Sequence, residues 1–205
     1  MSEKKLCTIE AIKKELKNTL SDERYKHCLG VTKELEYLFE RYGTNNEIIK
    51  TENYDAASFI GLVHDWAREY TQDQLYAFCK KENLKLDEDE KRVIVLSHGL
   101  VASSIARKRC LKVPKTWLKA IDEHTCGSVD MGYLGLALFV ADFTEENRSF
   151  LTKEDREKFH SYNSLDEVGK NVLCSMMNHW QSKGIVPSLK SRELKKYWED
   201  GKLIK

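Results

Sequence analysis

Gly61-Leu62-Val63-His64-Asp65-Trp66-Ala67-Arg68 is the segment that says most about how this chain folds. Together with Phe59 and Ile60 just ahead of it, the apolar residues recur at Phe59, Ile60, Val63 and Trp66, which is the three-and-four spacing of a helix and not the alternation of a strand. Asn53 stands where it could cap that helix. Into this apolar surface the chain sets an imidazole and a carboxylate side by side. A carboxylate buried there without compensation costs several kcal/mol, so His64-Asp65 calls for a cation or hydrogen-bond donors. A salt bridge to Arg68 is one alternative.

The same periodicity extends in both directions. Thr8 is expected to cap a helix presenting Ile9, Ile12 and Leu16, and Ser21, followed by Asp22 and Glu23, opens a longer one that runs to Gly43. Thr71 with Gln74 forms a capping box for a helix through Phe78. Val93-Ile94-Val95-Leu96 reads as irregular, with a helix resuming near His98. Pro114 suits the first helical position of a segment through His124 that stops at Gly127, and Asp130 can cap the very apolar helix through Asp142. Two more capping boxes, Thr152 with Asp155 and Ser164 with Glu167, begin later helices, the second ending at Gly184 before Pro187. The breaks carry helix caps and no hairpin turns, which predicts an all-α fold. No shift in composition and no repeat divides the chain, so residues 1–205 are expected to form a single-domain helical bundle ending in an exposed amphipathic helix and tail at about 187–205.

Composition narrows the function classes. The 205 residues carry 34 basic and 33 acidic side chains, a net charge of +1, which is not the balance of a nucleic-acid coat or a polybasic membrane anchor. The chain opens Met-Ser-Glu-Lys-Lys with no apolar leader-like run, and its longest apolar run thereafter is Leu136 to Ala141. That is far short of the roughly 20 residues of a membrane span, so a soluble cytoplasmic protein without nucleic-acid or membrane partners is expected. Six cysteines lie at long, irregular intervals with no Cys-x-x-Cys pair, which points to reduced core thiols.

Of six histidines, His27, His64, His98 and His124 fall one per predicted helix, and Asp142 lies on the next. An antiparallel bundle can present one such residue from each helix at a similar depth, as bundle folds do when they build metal sites in their cores. Asp65 is the natural bridge between two cations, because a carboxylate has two oxygens whereas an imidazole offers one nitrogen to one metal. Imidazoles with carboxylates suit iron, manganese or zinc and do not suit calcium. Two such ions would activate a water and clamp a phosphoryl oxygen. His160 and His179 read as ordinary hydrogen-bonded histidines.

His27, His64-Asp65, His98, His124 and Asp142 together resemble the HD-domain phosphohydrolase superfamily, and more closely its YqeK branch of bacterial symmetrical diadenosine tetraphosphate hydrolases. The resemblance runs over about residues 20–182. It is carried by Arg24-Tyr25-Lys26-His27 with Gly30-Val31, the segment quoted first, Leu96-Ser97-His98-Gly99, His124-Thr125-Cys126-Gly127, and Val140-Ala141-Asp142 followed by Glu145 and Arg148. It implies an all-α HD-type domain with two divalent metal ions in its core, iron first, with manganese or zinc as alternatives. His27, His64, Asp65 and Asp142 would hold one ion, and Asp65, His98 and His124 the other. A metal-bridging hydroxide would then split diadenosine tetraphosphate in its middle to give two ADP. Asp65 and Arg68 are the expected catalytic residues, Arg68 by sharing a helix face with the doublet. Arg24, Arg68, Thr125 and Arg148 are the candidate contacts to the nucleotide substrate, while Trp66 and Tyr133 fit core packing better than adenine stacking. The chain departs from the family's usual wording at Trp66-Ala67-Arg68, Gly135-Leu136, Phe143 and Glu146, and two basic residues near Asp142 are absent. Another nucleotide phosphohydrolase or phosphodiesterase activity, or a non-catalytic nucleotide-sensing domain, stays open, as does a homodimer through the helix of Tyr133 to Val140.

Overall fold

The structure is a computed structural model that describes residues 8–43, 47–110 and 112–204, without the side chains of 47–54. Local capping chemistry sets most of its boundaries. The Thr8 hydroxyl accepts from the Ala11 N–H to start α1 (Ile9–Thr19), and Ser21 does the same from Arg24 for α2 (Asp22–Tyr42). After α3 (Glu47–Val63), reciprocal Thr71–Gln74 bonds open α4 (Gln72–Lys81). Then follow α5 (Glu88–Arg92), a single 3-10 turn (Ile94–Ser97), α6 (His98–Arg109), α7 (Lys115–Glu123) and α8 (Gly132–Thr144). A Thr152–Asp155 box starts α9 (Lys153–His160), and Ser164 and Ser188 cap α10 (Leu165–Ser182) and α11 (Leu189–Glu199). There is no strand among the described residues. The fold is all-α, as the periodicity indicates, and none of the described helices is long and apolar enough to cross a membrane.

Several boundaries differ from the sequence expectation. The third helix begins at Glu47 and not at Asn53, whose side chain lies outside the described residues. It also stops at Val63, before Trp66, and the next residues close i→i+3 turns, Trp66 N–H to Val63 O and Arg68 N–H to Asp65 O. Pro114 is the cap of α7 and not its first residue, and α8 starts at Gly132 without an Asp130 cap. A fifth helix with its own Asp87–Glu90 box, not expected from the sequence, precedes the stretch read as irregular, most of which forms the 3-10 turn. At Ser164 the box is half formed, because Glu167 accepts from the Asn163 N–H instead of from the cap. The last helix is docked and not free: Leu194 and Trp198 are buried, and Lys190 pairs with Asp87 and Glu123.

α2, α3 and α8 form the centre, with α7 bridging α6 and α8, α1 on α3, and α10 carrying α11. Leu35 and Leu38 of α2, Ile60 and Leu62 of α3, and Leu136 and Leu138 of α8 are all fully buried there. α2 and α3 approach so closely that a Cβ on Gly61 would stand 2.6 Å from Thr32 Oγ1 and 2.8 Å from Thr32 Cα. Because that contact also sets the distance between His27 and His64, Gly61→Ala is expected to lower stability by about 1–3 kcal/mol, read from the denaturant midpoint. Cys28 and Cys79 are buried free thiols, Cys110 is buried, Cys126 and Cys174 are half-buried and free, and Cys7 lies outside the described residues.

Candidate metal centre

His27 projects from the second turn of α2, His64 and Asp65 follow directly on the end of α3, His98 opens α6, His124 closes α7, and Asp142 lies in the last turn of α8. The last turn of a helix leaves carbonyls without intrahelical partners. Two of them are used here: His64 Nδ1 lies 2.9 Å from Gly61 O, and His124 Nδ1 2.7 Å from Ile121 O. His98 Nδ1 similarly lies 2.7 Å from Val95 O in the 3-10 turn. A carbonyl only accepts, so each ring carries its proton on Nδ1 and turns a bare Nε2 lone pair inward.

Those lone pairs converge. His27 Nε2 is 3.3 Å from His64 Nε2, and His98 Nε2 is 3.2 Å from His124 Nε2. Facing lone pairs repel unless a cation or a proton lies between them, and these separations are those of neighbouring ligands about 2.0–2.1 Å from one ion. Asp65, its side chain 3% exposed, lies between the two pairs. Its Oδ2 is 3.6 Å from both His27 Nε2 and His64 Nε2, while Oδ1 is 3.2 Å from His98 Nε2 and 3.7 Å from His124 Nε2. Asp142 Oδ1 closes the first group at 3.0 Å from His27 and 3.6 Å from His64. His27, His64, Asp65 and Asp142 thus form one group able to hold a metal, and Asp65, His98 and His124 a second.

Charge is arranged to match. Burial pushes the Asp65 carboxyl up, but His64, His124 and His98 outweigh it and hold Asp65 well below the usual carboxylate range. Asp142 is likewise held down against burial by Arg148, His27 and His64. Burial holds His64 neutral, the form in which an imidazole ligates. For His27 burial acts downward too, but Asp142 and Glu145 overcome it and raise the ring; at His124 the Asp65 bond does the same. A cation entering the cluster would compete with a proton for these two rings.

Glu145 is the residue that sequence reasoning passed over, naming it only within a motif. It is fully buried, and its Oε1 accepts from His27 Nδ1 at 3.0 Å while Oε2 accepts the Asn147 backbone and side-chain N–H groups at 2.6 and 2.8 Å. Burial favours its neutral form, and these bonds outweigh that and lower it. The available signal was an acid three residues beyond Asp142, straight after an apolar helix. A Cβ on Gly30 would stand 2.1 Å from Glu145 Oε2, so the glycine is what lets this carboxylate in.

The candidate substrate contacts divide. Arg24 Nη1 bonds Asp65 Oδ2 at 2.6 Å, Arg148 pairs with Asp142 Oδ1, and Thr125 Oγ1 lies 3.4 Å from His98 Nε2. Arg68 does not share a helix face with the doublet, because α3 ends at Val63 and the tight turns that follow leave Arg68 exposed. The salt bridge to Asp65, the alternative for Arg68, is made by Arg24. Trp66 is buried under Arg109, Tyr133 stacks on Phe39, His160 pairs with Glu34, and His179 is exposed, so these four take the ordinary roles expected of them.

The HD domain family model matches residues 24–166, which spans every residue of the cluster. The chain belongs to the HD domain family. As an HD-domain hydrolase it is 26% identical over 168 residues to the symmetrical bis(5'-nucleosyl)-tetraphosphatase of Bacillus subtilis, covering 79% of this chain and 84% of that protein. The enzyme of the same name from Staphylococcus aureus is 27% identical over 174 residues, 82% of this chain and 85% of its own length. A crystal structure from Clostridium acetobutylicum, described as a predicted HD superfamily hydrolase involved in NAD metabolism, superposes with a TM-score of 0.82 at 25% identity, over 95% of this chain and 98% of that one. The helical fold and the clustered His/Asp donors of this HD-domain chain thus accord with a metal-dependent phosphohydrolase.

Proposed function

We propose that this protein hydrolyses dinucleoside tetraphosphates symmetrically, releasing two nucleoside diphosphates, with diadenosine tetraphosphate as the leading substrate and two divalent ions, iron first, as cofactors. The observation that carries the reading is the division of Asp65, one oxygen toward His27 and His64 and the other toward His98 and His124. The tetraphosphatase relatives supply the substrate class. When bound, such a pair of ions supplies an activated water and neutralises charge on the phosphoryl oxygens.

The chain's own residues do the rest. Four imidazoles and two carboxylates assemble a preorganised floor of metal-donor atoms, in which the ring orientations are set by Gly61, Val95 and Ile121 carbonyls and by Glu145. Arg24 and Arg148 stand on the two acids and present guanidinium N–H groups to phosphate. Arg24→Ala and Arg148→Ala are expected to raise KM about 10- to 100-fold, the worth of a hydrogen bond to a charged group. Arg68→Ala, at an exposed side chain, should change it less than about fivefold.

Metal analysis by mass spectrometry, followed by product chromatography after incubation with diadenosine tetraphosphate and iron or manganese under reducing conditions, tests the reading. ADP as sole product is expected. AMP with ATP would mean asymmetric cleavage, and absence of turnover on any nucleotide would point to a sensing domain.

A further inference from the structure

Beside the metal cluster a recess of about 210 Å³ opens, with Arg24, Lys26, His27, Arg148 and Phe150 in its lining. A recess below the roughly 300–1,000 Å³ that encloses whole drug-sized ligands takes only part of one. Its charge says which part. Arg24, Lys26 and Arg148 face two acids in its lining, Glu23 and Glu145; Glu145 is engaged by His27 and Asn147, while Arg24 and Arg148 pair with Asp65 and Asp142 and keep further N–H groups for an anion. Arg24 Nε is also buried with no acceptor among the described residues, a donor suited to one more anionic oxygen.

Phe150 has no evident part in the core. It is 59% exposed, although the neighbouring Phe143 and Phe159 are packed, and its ring lies 5.2 Å from Phe143. Phe143 in turn meets Phe159 edge-on at 5.6 Å, so the exposed ring is braced from within. The Arg148 guanidinium lies over the ring, 5.9 Å from its centroid, and the same group pairs with Asp142. One arginine therefore links a metal-facing acid to an open aromatic surface.

We propose that Phe150 is the platform on which a nucleobase stacks while its phosphates occupy the recess over Arg24, Lys26 and Arg148. The proposal rests on the nucleotide reading above and names a base-recognition residue for it. A flat apolar ring beside a cationic recess complements a nucleotide, aromatic at one end and anionic at the other. Stacking is tolerant of base identity because every base has a π face.

The test compares wild type, Phe150→Ala and Phe150→Tyr in three measurements: kcat and KM on diadenosine tetraphosphate, inhibition by inorganic tripolyphosphate, and ADP binding by equilibrium dialysis with manganese. Phe150→Ala is expected to raise KM and weaken ADP binding about 5- to 150-fold, the range of one base stack. kcat and the tripolyphosphate inhibition constant should hold, and Phe150→Tyr should restore affinity. An unchanged KM, an equal loss with tripolyphosphate, or a shift in sedimentation showing that the ring covers another protein copy would overturn the platform. If wild type turns over no dinucleotide but binds ADP in a Phe150-dependent way, hydrolysis is wrong and the platform stands. If wild type binds no ADP, the platform falls as well.

Discussion

Asp65→Ala is expected to abolish turnover, by more than about 10³-fold, and to strip bound metal from both groups at once. The reason is geometric: among the described residues no other side chain offers oxygens to both imidazole pairs, with Oδ2 3.6 Å from His27 and His64 and Oδ1 3.2 Å from His98. The substitution also leaves four imidazoles and Arg24 without the carboxylate that balances them. Far-ultraviolet circular dichroism and the thermal midpoint show whether the helices survive; Asp65→Asn, which keeps the size and one oxygen, separates the loss of charge from the loss of packing. Retention of both metals by a folded Asp65→Ala protein would mean that Asp65 does not bridge.

Glu145→Gln should act on one group only. His27 Nδ1 relies on the Glu145 carboxylate, while His98 and His124 are aimed by the backbone carbonyls of Val95 and Ile121, which no side-chain change removes. Loss of such an outer partner lowers metal affinity about 10- to 100-fold. Calorimetric titration with manganese is therefore expected to resolve one weakened and one unaltered class of site in the variant, with turnover recovering at high metal concentration. Equal weakening of both classes, or of neither, would show that Glu145 does not support His27. Glu145→Leu should cost stability as well, since it leaves the His27 and Asn147 N–H groups buried without their acceptor.

The difference between the two carboxylates shows what could be read in one dimension. Asp65 stood out because an acid beside a histidine in an apolar run has no cheap solution without a cation. Glu145 sits after an apolar helix as well, but at a boundary where an exposed acid is unremarkable, and nothing within a few residues reveals that Gly30 makes room for it. Arg24 and Arg68 show the same limit. The helical spacing assigned Arg68 to the doublet; the tight turns after Val63 withdraw it, and an arginine one turn ahead of His27 on another helix takes its place. The C-terminal helix reads as amphipathic in either case, and whether its apolar side meets water or α10 is a matter of packing.

From its residues alone this chain is committed to helices and to a set of donor atoms. Apolar period and caps act within four residues, as at Thr8, Ser21, Thr71 and Thr152, and ligand chemistry belongs to each side chain wherever it goes. Only the tertiary structure decides which donors share a cation, which oxygen of Asp65 faces which pair, and which arginine guards it. Those outcomes depend on contacts across 41 residues for Arg24 with Asp65 and 118 for His27 with Glu145, distances over which local rules carry no information and close packing of whole helices determines who meets whom.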